Sequence, residues 1–249
     1  MIRVRVRDIE NINAWYVNAV LPILMKKTVE QISANQIEKE MIERLNDKNF
    51  CADVLGLPVQ DVVAKYDWTR QYKDTVDLLA KISNLYYAIR QINGKGKREI
   101  VQSLLKEFIE QNRNDIIDEV LKDFVSSKDK EKGFQEATRT NRNFKEFVTS
   151  LKTKIKRFNE IIESKFDYNE VLASSEIRGQ LVMRLNIKVC PYCNRQYINP
   201  ITRDNSITYM GDIDHILPKS EYTLFQLSLY NMIPACKVCN QLFKRDCLL

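Results

Sequence analysis

Apolar residues recur at steps of three and four along most of this chain, and that period predicts a mainly α-helical protein. The clearest case follows Tyr66, where Tyr72, Val76, Leu79, Ile82, Tyr86 and Ile89 mark one stripe of a helix that must be buried. Asn93-Gly-Lys-Gly-Lys97 ends it, with Gly94 or Gly96 available for a left-handed cap. Two amphipathic helices are predicted next, one on Ile100, Val101, Leu104, Leu105 and Phe108, the other on Ile116, Ile117, Val120, Leu121 and Phe124. Phe144, Phe147, Leu151, Ile155, Phe158 and Ile162 predict a long helix, and a shorter one runs from Ser175 to about Leu185.

The amino-terminal end reads differently. Arginine and valine alternate from Arg3 to Arg7, a period of two that predicts a short strand, either a charge-protected edge or a phosphate contact. From Asp8 the period is helical. Pro22 suits the first turn of a helix running toward Ile32, and Ser33 can cap the next, Asn35 to about Leu45. Gly56-Leu-Pro58 breaks the pattern, and Ser126 to Gly133 is the best internal linker. The expected organisation is a helical domain over residues 1–186, with a break near 126–133, followed by a small module over 187–249.

Composition changes this picture little. The chain has 249 residues, 44% hydrophobic and 29% charged, which excludes disordered and fibrous classes. The start lacks a secretory core, and Ala19 to Met25 is too short to span a bilayer, so a cytoplasmic protein without membrane contact is expected. Net charge is +6, with a pI near 8.9, compatible with a polyanionic partner but not diagnostic of one. The most basic stretch, Arg139 to Lys165, holds eight Lys or Arg against three acidic residues. Lys152 and Lys156 share a face there, as part of a solvated surface or as phosphate contacts. The glycine turn at 94–96 lacks the spacing of a phosphate-cradling loop.

The chemistry is concentrated in the last quarter. Four of the six cysteines form two Cys-x-x-Cys pairs, Cys190 with Cys193 and Cys236 with Cys239, leaving Cys51 and Cys247 apart. That is metal-site arithmetic in a reducing compartment, and four thiolates suit a closed structural Zn²⁺ site. Between the pairs lie Asp214 and His215, the one histidine in the chain. A histidine titrates near neutrality, and hard oxygens from Asp214 and Asn240 suit Mg²⁺ or Mn²⁺. Phosphodiester cleavage needs such a base and such a cation. Asp212 shares strand parity with Asp214 and is an alternative ligand, whereas strict alternation sends Asp214 and His215 to opposite faces unless the strand ends or bulges. Lys219, Lys244 and Arg245 are candidate phosphate contacts; Tyr192, Tyr197 and Tyr209 are expected to pack the module.

Two cysteine pairs bracketing Asp-His-Ile-x-Pro-x-Ser, then Asn231-x-Ile-Pro-x-Cys-x-x-Cys-Asn240, resemble the HNH endonuclease superfamily over about Val189 to Arg245. The resemblance implies two β-strands and a helix around one catalytic metal, with His215 as general base, Asp214 and Asn240 as metal ligands, and Asn231 holding the loop that carries the histidine. The chain departs from the pattern where Asn240 replaces the last histidine, which is read as a functional variant. DNA is the substrate the resemblance implies. A helical domain joined to such a module also resembles nuclease effectors of anti-phage systems of the Septu type, which implies an ATPase partner. The competing expectation is a catalytically inactive, zinc-stabilised nucleic-acid-binding or scaffold protein, which would need only the cysteines.

Overall fold

The computed structural model describes residues 6–30, 36–117, 130–173, 176–203, 206–209 and 211–244. They are mainly helical, with two small antiparallel hairpins near the carboxy terminus. The strand predicted at Arg3 to Arg7 and the cap at Ser33 lie wholly or mostly outside the described residues, as do most of the linker at 126–133, the helix end at Val120 to Phe124, and Cys247. Contacts divide the chain into two units: residues 1–65 with 159–249, and residues 66–158. The carboxy-terminal stretch 187–249 therefore shares a unit with residues from the amino terminus.

In the first unit, α1 (Ile9–Met25) buries Ile12, Tyr16, Val20 and Leu24, every fourth residue. That stripe carries the helix through Pro22, so the helix predicted to start at Pro22 does not form. A proline this close to the end removes a single backbone bond, and burial of Val20 and Leu24 outweighs the loss. Next come α2 (Gln36–Asn46), α3 (Lys48–Gly56) and α4 (Val59–Lys65). Asp47 caps α3, its carboxylate accepting from the Asn49 and Phe50 amides, a motif worth about 1 kcal/mol. α1 packs on α3, and the Tyr16 hydroxyl donates to the Leu227 carbonyl at 2.8 Å. This long-range bond anchors the segment that follows His215.

In the second unit, α5 (Asp67–Gln91) buries Tyr72, Val76, Leu79 and Ile82 as the periodicity predicts, adds Trp68, and leaves the predicted Tyr86 and Ile89 only half-buried. Gly96, with φ +81°, is the N-cap of α6 (Lys97–Gln111) rather than the end of α5. The short α7 (Arg113–Asp115) and α8 (Lys130–Thr138) follow. α9 (Asn141–Glu163) starts from Thr140, whose hydroxyl accepts the Asn143 amide, and buries Phe144, Phe147, Leu151, Ile155, Phe158 and Ile162. Its last residues belong to the first unit.

There α10 (Glu176–Leu185) packs against α1 and ends at Asn186, which takes the left-handed conformation (φ 49°) and redirects the chain into the first cysteine pair. Gly179 lets this helix approach the first hairpin: a Cβ there would stand 3.1 Å from Cβ of Ile207. That hairpin pairs β1 (Pro200–Arg203) with β2 (Ser206–Tyr209). The second pairs β3 (Asp212–His215) with β4 (Met232–Ala235), matching Asp212 with Ala235 and His215 with Met232. A seven-residue π-type helix, Val238–Lys244, closes the described chain.

Candidate metal centre and the adjoining cavity

The first cysteine pair sits in a tight turn. The Cys190 amide donates to the Gln196 carbonyl, the Asn194 amide returns to Cys190, and Asn194 takes a left-handed φ of 51°. The second pair joins β4 to the final helix, with the Cys239 amide donating to Cys236 Sγ at 3.4 Å. The four sulfurs of Cys190, Cys193, Cys236 and Cys239 all lie within 4.8 Å of one another, and Cys193 and Cys236 are 4.0 Å apart. Tetrahedral zinc at about 2.3 Å from each sulfur requires S–S separations of roughly 3.8 Å. The cluster can thus hold zinc with small adjustments.

Its electrostatics agree with that occupant. Backbone amides of Gln196 and Arg195 lower the Cys193 thiol to about 6, whereas burial, then neighbouring sulfurs, push Cys239 upward, and burial also raises Cys236. Four adjacent thiolates repel one another, and a dication removes that conflict while releasing protons. Ile198 and Ala235 are buried against the sulfurs, and Tyr192, Tyr209 and Val238 pack around them. Tyr197 does not pack the module as expected, because it is 79% exposed.

Beside the sulfurs lies a cavity of about 330 Å³. β3 supplies Asp212, Asp214 and His215, which all line it. His215 is the last paired residue of the strand, and Asp214 and His215 both line the cavity, so the opposite-face expectation of strict alternation does not hold here. Asp214 is buried, and its carboxylate is held on both oxygens. The Tyr192 hydroxyl donates to Oδ2 at 2.5 Å, and the His215 amide to Oδ1 at 2.7 Å. Burial, then the bond to Asp214, raises the Tyr192 hydroxyl far above its ordinary value, so it stays a donor. Tyr192 stands between two zinc-type ligands, and thus ties the sulfur cluster to the carboxylate.

His215 is 5% exposed, and its Nε2 lies 2.8 Å from the Gln226 carbonyl. A carbonyl only accepts, so Nε2 is the nitrogen that carries a proton in this contact. The Tyr168 ring meets the imidazole edge-on at a centroid distance of 5.0 Å. Asn231, 1% exposed, staples the loop after the histidine. Its Oδ1 accepts from the Leu217 amide at 2.7 Å, and its Nδ2 donates to the carbonyls of Leu217 and Phe225 at 3.1 and 3.0 Å. The Ile216 amide closes on the Asn231 carbonyl at 2.9 Å.

Asn240 lines the same cavity but turns its Nδ2 to Asp212 Oδ2 at 3.1 Å, and Gln241 donates to that oxygen at 2.8 Å. Asn240 is therefore bonded to Asp212, the alternative carboxylate, rather than to Asp214. Two carboxylates and an amide thus line one cavity, and their oxygens are hard donors.

Cations stand across from them. Lys219 Nζ lies 4.5 Å over the Tyr168 ring, and Arg178, from α10, donates to the Gly211 carbonyl at 3.4 Å. Arg178 and Tyr168 line the cavity and were not singled out in the sequence, because a polar position on a short helix and an isolated tyrosine carry no motif. Of the other expected contacts, Lys152 lines a separate cavity of the second unit, and Lys156 lies on the same helix without reaching the His215 cavity. The Lys244 side chain and Arg245 lie outside the described residues.

Comparison of the chain with protein-family models, curated proteins and solved structures finds no match. Among the described residues, no helix is long and apolar enough to cross a membrane.

Proposed function

We propose that this chain is a metal-dependent endonuclease of the HNH type, acting on DNA, with His215 as its general base. The observation that carries this reading is the Nε2 contact with the Gln226 carbonyl, beside a carboxylate held rigid by Tyr192. In this reading Nδ1 is the nitrogen assigned to take the water proton. As that proton moves to Nδ1, the water oxygen bonds to phosphorus and the bond to the leaving sugar oxygen breaks, the leaving oxygen taking its proton from solvent. Arg178 and Lys219 hold the phosphate during the displacement. Asp214 and Asn240 are the residues that would bind Mg²⁺ or Mn²⁺, with Asp212 supporting Asn240. Such an ion, when bound, offsets charge on the phosphoryl and leaving oxygens. Zn²⁺ on Cys190, Cys193, Cys236 and Cys239 is assigned a structural part, with no open position for substrate. An ATPase partner within an anti-phage system belongs to this proposal on the sequence resemblance alone.

Plasmid and single-stranded DNA incubated with purified protein in Mg²⁺ or Mn²⁺ test the reading. Wild type cuts and a zinc-loaded His215→Ala variant does not. DNA binding without cleavage by wild type, under either ion and with its partner present, would instead establish the inactive zinc-stabilised binding protein.

A further inference from the structure

The second unit carries a cavity of about 480 Å³ between α5, α6 and α9. Its floor is apolar, with Leu105 and Val148 buried. Its rim is basic: Arg90 comes from α5, and Lys145 and Lys152 lie two turns apart on one face of α9. No carboxylate is among its described lining residues, and these three cations form no ion pair among the described residues. A solvated basic face needs no concavity and no apolar floor.

We propose that this cavity binds a nucleoside phosphate. The flat base lies on the Leu105 and Val148 floor, and the phosphate sits among Arg90, Lys145 and Lys152. The volume falls within the roughly 300–1,000 Å³ of small-molecule sites and exceeds what inorganic phosphate fills. A single carboxylate would leave two of three cations uncompensated, whereas a phosphate accepts from several donors at once. This assignment is independent of the nuclease reading.

The test is isothermal titration of the full zinc-loaded chain, without added divalent metal, with AMP, ADP, ATP, GTP, a 5′-phosphorylated trinucleotide and inorganic phosphate. At least one nucleotide is expected to bind at least tenfold more tightly than inorganic phosphate. Lys145→Ala/Lys152→Ala should weaken it tenfold or more, with circular dichroism unchanged. Tighter binding of the trinucleotide would identify a strand end as the source of the same chemistry. Arg178→Ala, which alters the other cavity, should keep full affinity. The proposal is overturned if no nucleotide exceeds inorganic phosphate, if the double variant binds like wild type, or if Arg178→Ala is the variant that loses binding.

Discussion

The Nε2 atom of His215, at the end of β3, lies 2.8 Å from the backbone carbonyl of Gln226, in the connecting segment that Tyr16 anchors at Leu227. This contact selects the tautomer and aims the ring without using the nitrogen that would take a proton. His215→Ala should lower the cleavage rate by about 10²–10⁴-fold, the usual contribution of a general base. Elemental analysis should find zinc unchanged in the variant, since no sulfur contact is lost. Equal cleavage by both proteins would remove His215 from the mechanism.

Asn231 makes three side-chain bonds to the loop that follows the histidine, and it is buried. Asn231→Ala removes the acceptor of the Leu217 amide and the donor to the Leu217 carbonyl, while the Phe225 carbonyl keeps the Ser228 amide, at a cost on the order of 2–4 kcal/mol. Asn231→Asp restores the acceptor for Leu217 but turns a carboxylate oxygen toward the two carbonyls, so it should not rescue stability. Urea unfolding of both variants measures this, and a midpoint equal to that of wild type in either would refute the stapling role.

Tyr192 connects the sulfur cluster to Asp214 through its 2.5 Å hydrogen bond. Tyr192→Phe keeps the packing ring and removes only the donor. A ligand that loses its outer hydrogen bond typically binds metal about 10–100-fold more weakly. Half-maximal cleavage should therefore need about tenfold or more added Mg²⁺, while bound zinc stays the same. An unchanged metal requirement would leave Asp214 without a part in holding the cation.

Much of this was legible in the sequence where a physical period or spacing was strong. The stripes on Tyr72 to Ile89 and Phe144 to Ile162 predicted α5 and α9, because a buried face must repeat every three to four residues. The cysteine pairs predicted a cluster, and the sulfurs do meet. What stayed hidden depends on tertiary context. Pro22 reads as a helix start, yet burial of Val20 and Leu24 extends α1 past it. Arg178 reaches the cavity only because α10 packs beside β2 and the Gly211 turn. Asn240 bonds to Asp212 across 28 positions, a pairing no local pattern encodes.

Zinc should be present at one ion per chain and should govern folding of the carboxy-terminal stretch. The cluster crosslinks the turn at Cys190–Cys193 to the junction of β4 with the final helix, and few other buried residues surround it. Chelation should abolish the near-UV circular dichroism of that region, and Cys236→Ser should behave like the chelated protein. Structural zinc can supply on the order of 10 kcal/mol in small domains. Removal of Mg²⁺ alone should stop cleavage and leave the spectrum intact.

Cys51 offers a prediction independent of either metal. Its thiol is buried and donates to the Leu45 carbonyl at 3.1 Å. Burial, with a smaller contribution from Asp47 and against the pull of Lys165, pushes it from 9.0 up to about 11. Between those values the unfolded chain releases the proton while the folded chain keeps it. The thiol's contribution is thus whole below about pH 9 and is lost as pH rises through 11, on the order of 2–3 kcal/mol in all. Lys165 titrates with the opposite sign: burial lowers its ammonium, so the folded state loses that proton first and gains stability as pH rises toward the ordinary lysine value. The difference between wild type and Cys51→Ala carries the thiol's part together with the smaller change in Lys165 that loss of the thiolate brings. Denaturant midpoints for both proteins at pH 8, 9, 10 and 10.5 should show wild type losing ground steadily above pH 9. Parallel curves would mean that the thiol ionises in the folded protein as readily as in water.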